Sequence, residues 1–138
     1  MRLGIAEILD KASNMKTKKE KIDFLRINDN SALRNILKYA YDPSIKFLLP
    51  EGEPPFKRSE FVDGHGMLYS EARKLYLFVE GGNPNLTPIR REMLFINFLE
   101  SLDPKDADLM INVKDKKIPY KGINKALIKE TFPGLIDE

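Results

Sequence analysis

Cysteine is absent from the sequence, and histidine occurs once, at His65. The first absence excludes disulfide scaffolds, thiol nucleophiles and cysteine-ligated zinc, and it fits a reducing compartment. The second removes paired-histidine motifs and metal centres built on several imidazoles. A surplus of one charge sign is also missing, since 23 Lys and Arg stand against 21 Asp and Glu for a formal net charge of +2. No global field therefore marks nucleic acid or an anionic membrane as the partner. Long hydrophobic runs are lacking too. The densest, Met93-Leu94-Phe95-Ile96, stops far short of the roughly 20 apolar residues that cross a bilayer. Glu7 and Asp10 interrupt the amphipathic start, unlike the unbroken apolar stretch of a signal peptide. The expectation is a cytosolic protein with no membrane segment.

What is present suits one globular domain over residues 1–138, with 42% apolar and 32% charged residues. Ile5, Ile8, Leu9 and Ala12 recur at helical spacing and predict a first helix. Thr17-Lys18-Lys19-Glu20 has the form of a capping box and opens a second helix to about Arg26 that buries Ile22 and Leu25. Behind the turn cluster Asn28-Asp29-Asn30-Ser31, the apolar positions Leu33, Ile36, Leu37, Ala40 and Tyr41 define a third helix, which Asp42-Pro43 stops. Ile45 to Leu49 is either a short helix or a buried extended piece. Leu68, Ala72, Leu75 and Val79 predict a fourth helix that exits at Gly81-Gly82. Thr87-Pro88 opens a fifth, apolar on nearly two thirds of its surface through Leu102 and therefore expected to be central and the most buried. Asp103-Pro104 opens a sixth through about Val113, and Ile123, Leu127 and Phe132 define a seventh, stopped by Pro133. No segment shows the period-two alternation of half-buried strands. The expected class is all-α, a compact domain of about seven short helices.

Leu33 to Pro43 and Leu94 to Pro104 align without a gap, placing Leu37 on Phe98 and Asp42-Pro43 on Asp103-Pro104; Leu48-Leu49 then falls on Leu109-Met110. Two stacked helical repeats joined by a proline-rich loop would account for this. Common stop chemistry at Asp-Pro after an amphipathic helix accounts for it as well. The joining loop, residues 50–66, holds three prolines and three glycines in seventeen positions and supports no regular element. It is either a connector or a functional segment.

Catalytic and metal-binding constellations are not visible, and no cofactor is expected. Asp63 and His65 are at most half of an acid-base or metal site, and the Gly64-His65-Gly66 and Gly81-Gly82 pairs lack the form of a phosphate loop. Two features bear on partners. Within the loop, Pro54, Pro55, Phe56 and Lys57 combine a rigid backbone with one aromatic, suited to docking on a protein unless Phe56 folds back onto the core. Two lysine clusters, Lys16, Lys18, Lys19, Lys21 and Lys114, Lys116, Lys117, Lys121, offer phosphate contacts, with Lys18, Lys19, Lys116 and Lys117 the chosen candidates; lysine on a solvated helix face is the plainer reading.

The run Leu48-Leu49-Pro50-Glu51-Gly52-Glu53-Pro54-Pro55-Phe56, following Tyr41-Asp42-Pro43-Ser44-Ile45, resembles a family of small uncharacterised proteins from tailed phages of marine cyanobacteria and other marine bacteria. Glu71-Ala72-Arg73-Lys74-Leu75-Tyr76, Arg91-Glu92-Met93-Leu94-Phe95-Ile96 and Lys116-Lys117-Ile118-Pro119-Tyr120-Lys121 extend the resemblance over nearly the whole chain. It implies a phage origin and action in the cytoplasm of the infected bacterial host, and it assigns no functional residues. The expectation from the residues is a non-enzymatic protein-interaction or regulatory module whose partner is a phage or host protein. The alternative is an accessory nucleic-acid-binding protein of phage DNA or RNA transactions.

Overall fold

A computed structural model of the chain describes residues 3–57 and 67–136, in which seven α-helices and one 3-10 helix follow one another. They are α1 (Ile5–Ser13), α2 (Lys18–Ile27), α3 (Ser31–Tyr41), α4 (Met67–Glu71), the 3-10 helix Ala72–Phe78, α5 (Pro88–Glu100), α6 (Pro104–Lys114) and α7 (Lys125–Thr131). The class is all-α. The only pairing of extended backbone among the described residues is an isolated antiparallel bridge between Phe47 and Val79.

Most boundaries follow from residues that satisfy their own helix starts. Thr17 accepts from the Glu20 amide, Asn30 from Leu33, Thr87 from Arg90 and Asp103 from Lys105, while Pro88 and Pro104 occupy first-turn positions that need no amide donor. Helix α1 starts differently. Its cap position is Gly4, which has no side chain to offer, and the Ala6 amide instead donates to Asp106 Oδ1 of α6 at 2.9 Å. A carboxylate buried in the middle of the fold thus completes the first helix across 100 residues of chain.

The fourth predicted helix is two elements. After α4 the chain tightens into the 3-10 helix, and the buried residues Ala72, Leu75 and Phe78 are spaced by three. A 3-10 helix has three residues per turn and places all three on one line, whereas α-helical spacing had nominated Val79 for the core. Val79 instead bridges Phe47, flanked by Leu48 N–H to Phe78 O and Glu80 N–H to Lys46 O, both 2.8 Å. Ile45 to Leu49 is therefore extended, not helical. The turn that follows Val79 requires glycine, because a Cβ on Gly82 would lie 1.7 Å from the Tyr76 carbonyl oxygen.

The buried side chains form one cluster that draws on every helix. Its centre is α6, which packs against α1, α3 and α5 and buries seven residues, Asp106 and Lys114 among them. The expectation that α5 would be the most buried helix is thus corrected. Only Arg91, Phe95, Phe98 and Leu99 of α5 are buried, while Ile89 is 73% and Met93 60% exposed. The internal correspondence also ends at the Asp-Pro pair. After Pro43 the chain is extended, whereas Pro104 opens an eleven-residue helix, so Leu48-Leu49 and Leu109-Met110 occupy different structures.

Two tyrosines are held by this packing. Tyr41 Oη donates to the Ile123 carbonyl at 3.1 Å, and burial raises its ionisation point. Tyr120 is pushed up to about 12, first by burial and then by the carboxylates of Asp10, Asp106 and Asp108. Both groups stay protonated in the folded state where the unfolded chain has begun to lose its phenolic protons, at the ordinary value of 10.0. Their contribution to stability is complete below pH 10 and is lost as the pH rises above it, that of Tyr120 through about 12. Urea midpoints should therefore fall above pH 10, and Tyr120→Phe should fall less than wild type; parallel curves would refute the assignment.

Candidate functional site

The segment after the bridge runs alongside α5 and is tied down at three points, two of them through its own amides. The Gly52 amide donates to Asp115 Oδ2 at 3.2 Å, and the Lys57 amide donates to Glu100 Oε2 at 2.8 Å. Between this strap and α5 lies a groove of about 360 Å³. Leu49, Phe95 and Ile96 form its apolar surface, Pro50, Pro54 and Pro55 one wall, and Glu51, Glu53 and Glu92 its acidic groups. Lys114 also reaches it, with Nζ donating to the Pro50 carbonyl at 2.9 Å and pairing with Asp115 Oδ1 at 2.6 Å. This buried amine fastens the strap to the end of α6.

The groove opens onto the exposed side of α5. Ile89, Met93 and Ile96 are spaced four and then three residues apart, so they form one stripe along the helix. Ile96 is half-buried in the groove, and Met93 and Ile89 continue outward into solvent. The stripe and the cleft together leave a continuous apolar surface in reach of solvent.

Of the loop candidates, Pro54 and Pro55 line the groove. Phe56 is half-buried against the core and does not project as a docking aromatic. Lys57 is exposed and engaged through its backbone. The rest of the predicted loop, residues 58–66, lies outside the described residues, as do Asp63 and His65 of the half-site considered above. Among the described residues, no group of three or more His, Cys, Asp or Glu is placed to hold a metal ion, and no helix is long and apolar enough to cross a membrane.

The lysine clusters divide. Lys116, with the left-handed φ of 62°, turns inward and donates to the carbonyls of Tyr39 at 2.6 Å, Asp42 at 2.8 Å and Ile45 at 3.0 Å. It closes the C-terminal end of α3, and burial lowers its ionisation point despite the attraction of Asp42. Lys114 is spent on the strap, so Lys117 and Lys121 are left as the exposed members of the second cluster. In the first, Lys18 pairs with Glu130 at 2.5 Å and Lys21 donates to the Met15 carbonyl at 2.5 Å, while Lys19 is exposed. Of the first cluster, Lys18 and Lys21 lie beside Gly122, the residue after Lys121. A Cβ on Gly122 would come within 2.9 Å of Lys21 Cε, and Lys18 and Lys21 share a shallow hollow with Gly122 and Asn124.

The sequence does not mark Ile89, Glu92, Met93, Phe95 and Ile96 as site residues, although four of them fall in its densest apolar stretch and the family-like run around it. The available signal was the apolar surplus of the fifth helix, more than one buried face needs. A model of a family described as a family of unknown function (DUF6433) matches residues 8–120, a stretch that contains the whole groove. No curated protein and no solved structure matches the chain.

Proposed function

The chain belongs to the DUF6433 family of unknown function, and we propose that it acts as a non-enzymatic protein-interaction module whose docking surface is the groove and exposed stripe of α5. The observation that carries this reading is the exposure of Ile89 and Met93, 73% and 60%, beside a cleft of about 360 Å³. An apolar helix face left in solvent next to a proline-walled cleft gains free energy by being covered. In this reading the protein is of phage origin and works in the cytoplasm of the infected bacterial host on a phage or host protein, as the resemblance of its Leu48 to Phe56 run implies.

The nucleic-acid reading has less support. Lys114 and Lys116 are committed to carbonyl groups of the fold, and Lys18 has a carboxylate partner. The test compares two variants in capture of partners from infected cells. Ile89→Asp with Met93→Asp should reduce partner recovery about tenfold or more, as loss of apolar anchors at an interface does. Because both side chains are exposed, stability should stay within about 0.5 kcal/mol. Lys18→Glu with Lys19→Glu and Lys117→Glu should leave recovery unchanged. The opposite pattern, with nucleic acid recovered and lost on charge reversal, would move the function to phosphate binding.

A further inference from the structure

We infer that the groove beside α5 receives a cationic amphipathic segment of another protein, in which lysine or arginine flanks one large apolar side chain. This rests on the reading of the groove as a docking site and adds the chemistry of the occupant. The apolar part of the recognition is Leu49, Phe95 and Ile96 between the prolines. At about 360 Å³ the cleft is at the small end of ligand-sized pockets, about 300–1,000 Å³. It therefore takes an anchor side chain, while the rest of the segment lies along Met93 and Ile89.

Charge decides the flanking residues. Glu51 and Glu53 stand on the strap side and Glu92 on the helix side, so carboxylates border the cleft from both elements that form it. Neither Glu51 nor Glu92 is in an ion pair among the described residues. The one cation of the lining among the described residues, Lys114, is neutralised by Asp115 and bound to the Pro50 carbonyl. A partner cation entering here meets the negative charge of Glu51 and Glu92 next to apolar walls, where attraction is less screened than in open water. An anionic segment or a phosphate backbone is repelled by the same groups. The prolines at 50, 54 and 55 hold the strap in a preset shape, so little order has to be imposed on it during docking.

The test uses the full chain and an unbiased displayed-peptide library, selected on wild type and depleted on Ile89→Ser with Met93→Ser, which removes the apolar stripe without adding charge. The expected sequences carry Lys or Arg on both sides of an aromatic residue or leucine. A synthetic peptide of that type should bind about tenfold more tightly than its glutamine counterpart and weaken as salt is added. Glu51→Lys with Glu92→Lys should abolish the preference, while NMR shifts on binding cluster at Phe95 and Ile96. If selected peptides are neutral or acidic yet still move Phe95 and Ile96, groove docking stands and the cationic occupant is overturned. If no recovered peptide depends on Ile89 and Met93, both readings fall. If the groove signals move with protein concentration alone, the occupant is a second copy of this chain, and the inference of a separate cationic partner is wrong.

Discussion

Phe95→Ala is expected to destabilise the protein by about 3–5 kcal/mol, the usual cost of emptying a buried phenylalanine site. Phe95 is 2% exposed and meets Phe78 edge-on at a centroid distance of 5.2 Å and Phe98 nearly parallel at 6.0 Å; Phe78 and Phe98 are 5.7 Å apart. Each side of this triangle adds about 0.5–1.5 kcal/mol beyond area burial. One truncation removes two of the three contacts. It also joins the emptied space to the groove, since Phe95 lines the groove from beneath, and water entering there would limit the collapse that softens such substitutions elsewhere. Phe95→Leu keeps most of the volume and should cost markedly less. Urea denaturation with an unchanged m-value measures both. A Phe95→Ala cost below about 1 kcal/mol would show that the aromatic triangle does not hold α5 in place.

The second large effect is expected at Lys116. Its amine serves three carbonyls, those of Tyr39, Asp42 and Ile45, where α3 ends and the extended segment begins. Removing a donor from part-buried acceptors costs about 1–3 kcal/mol for a group left unsatisfied, and water can reach some of these. Lys116→Ala should therefore lose about 2–4 kcal/mol in total. Lys116→Gly separates the causes. The residue has a φ of 62°, a conformation that costs a side-chain-bearing residue about 1 kcal/mol and glycine little. The glycine variant should be the more stable of the two by about that amount. Equal stabilities would mean that the backbone conformation carries no strain. The pH response has a definite sign. Burial lowers the folded-state ionisation point below the ordinary 10.5, so between those values the unfolded chain binds more protons and stability from this group rises with pH. Lys116→Met should remove that rise.

These positions show what could be seen beforehand. Thr17, Thr87 and Asp103 announce their helices because a cap acts on amides a few residues away, and local chemistry is written locally. The 3-10 helix was missed because Leu68, Ala72, Leu75 and Val79 satisfy the α spacing equally well; the choice fell to Phe78, whose place beside Phe95 and Phe98 depends on residues far along the chain. Lys114 and Lys116 resembled solvated lysines in a charged run. Only the approach of Pro50 to one and of the α3 terminus to the other turned them inward. At α5 the sequence showed surplus apolar surface, and burial was the natural expectation. The surplus is exposed because α6, touching α1, α3 and α5, already occupies the centre. In the proposed function, that exposed surplus is the surface kept for another molecule.

The capping of α1 by Asp106 has a consequence for synthesis. The Ala6 amide has its acceptor 100 residues later, and Arg26 of α2 donates to the Thr131 carbonyl across 105. As the chain leaves the ribosome, α1 and α2 emerge long before either acceptor exists, with Ile5, Leu9 and Leu25 lacking the C-terminal packing that completes their burial. Contacts of such high sequence separation form slowly because a long loop must close first. Native assembly thus waits until Thr131 has been added, and the early helices are the part a chaperone would meet.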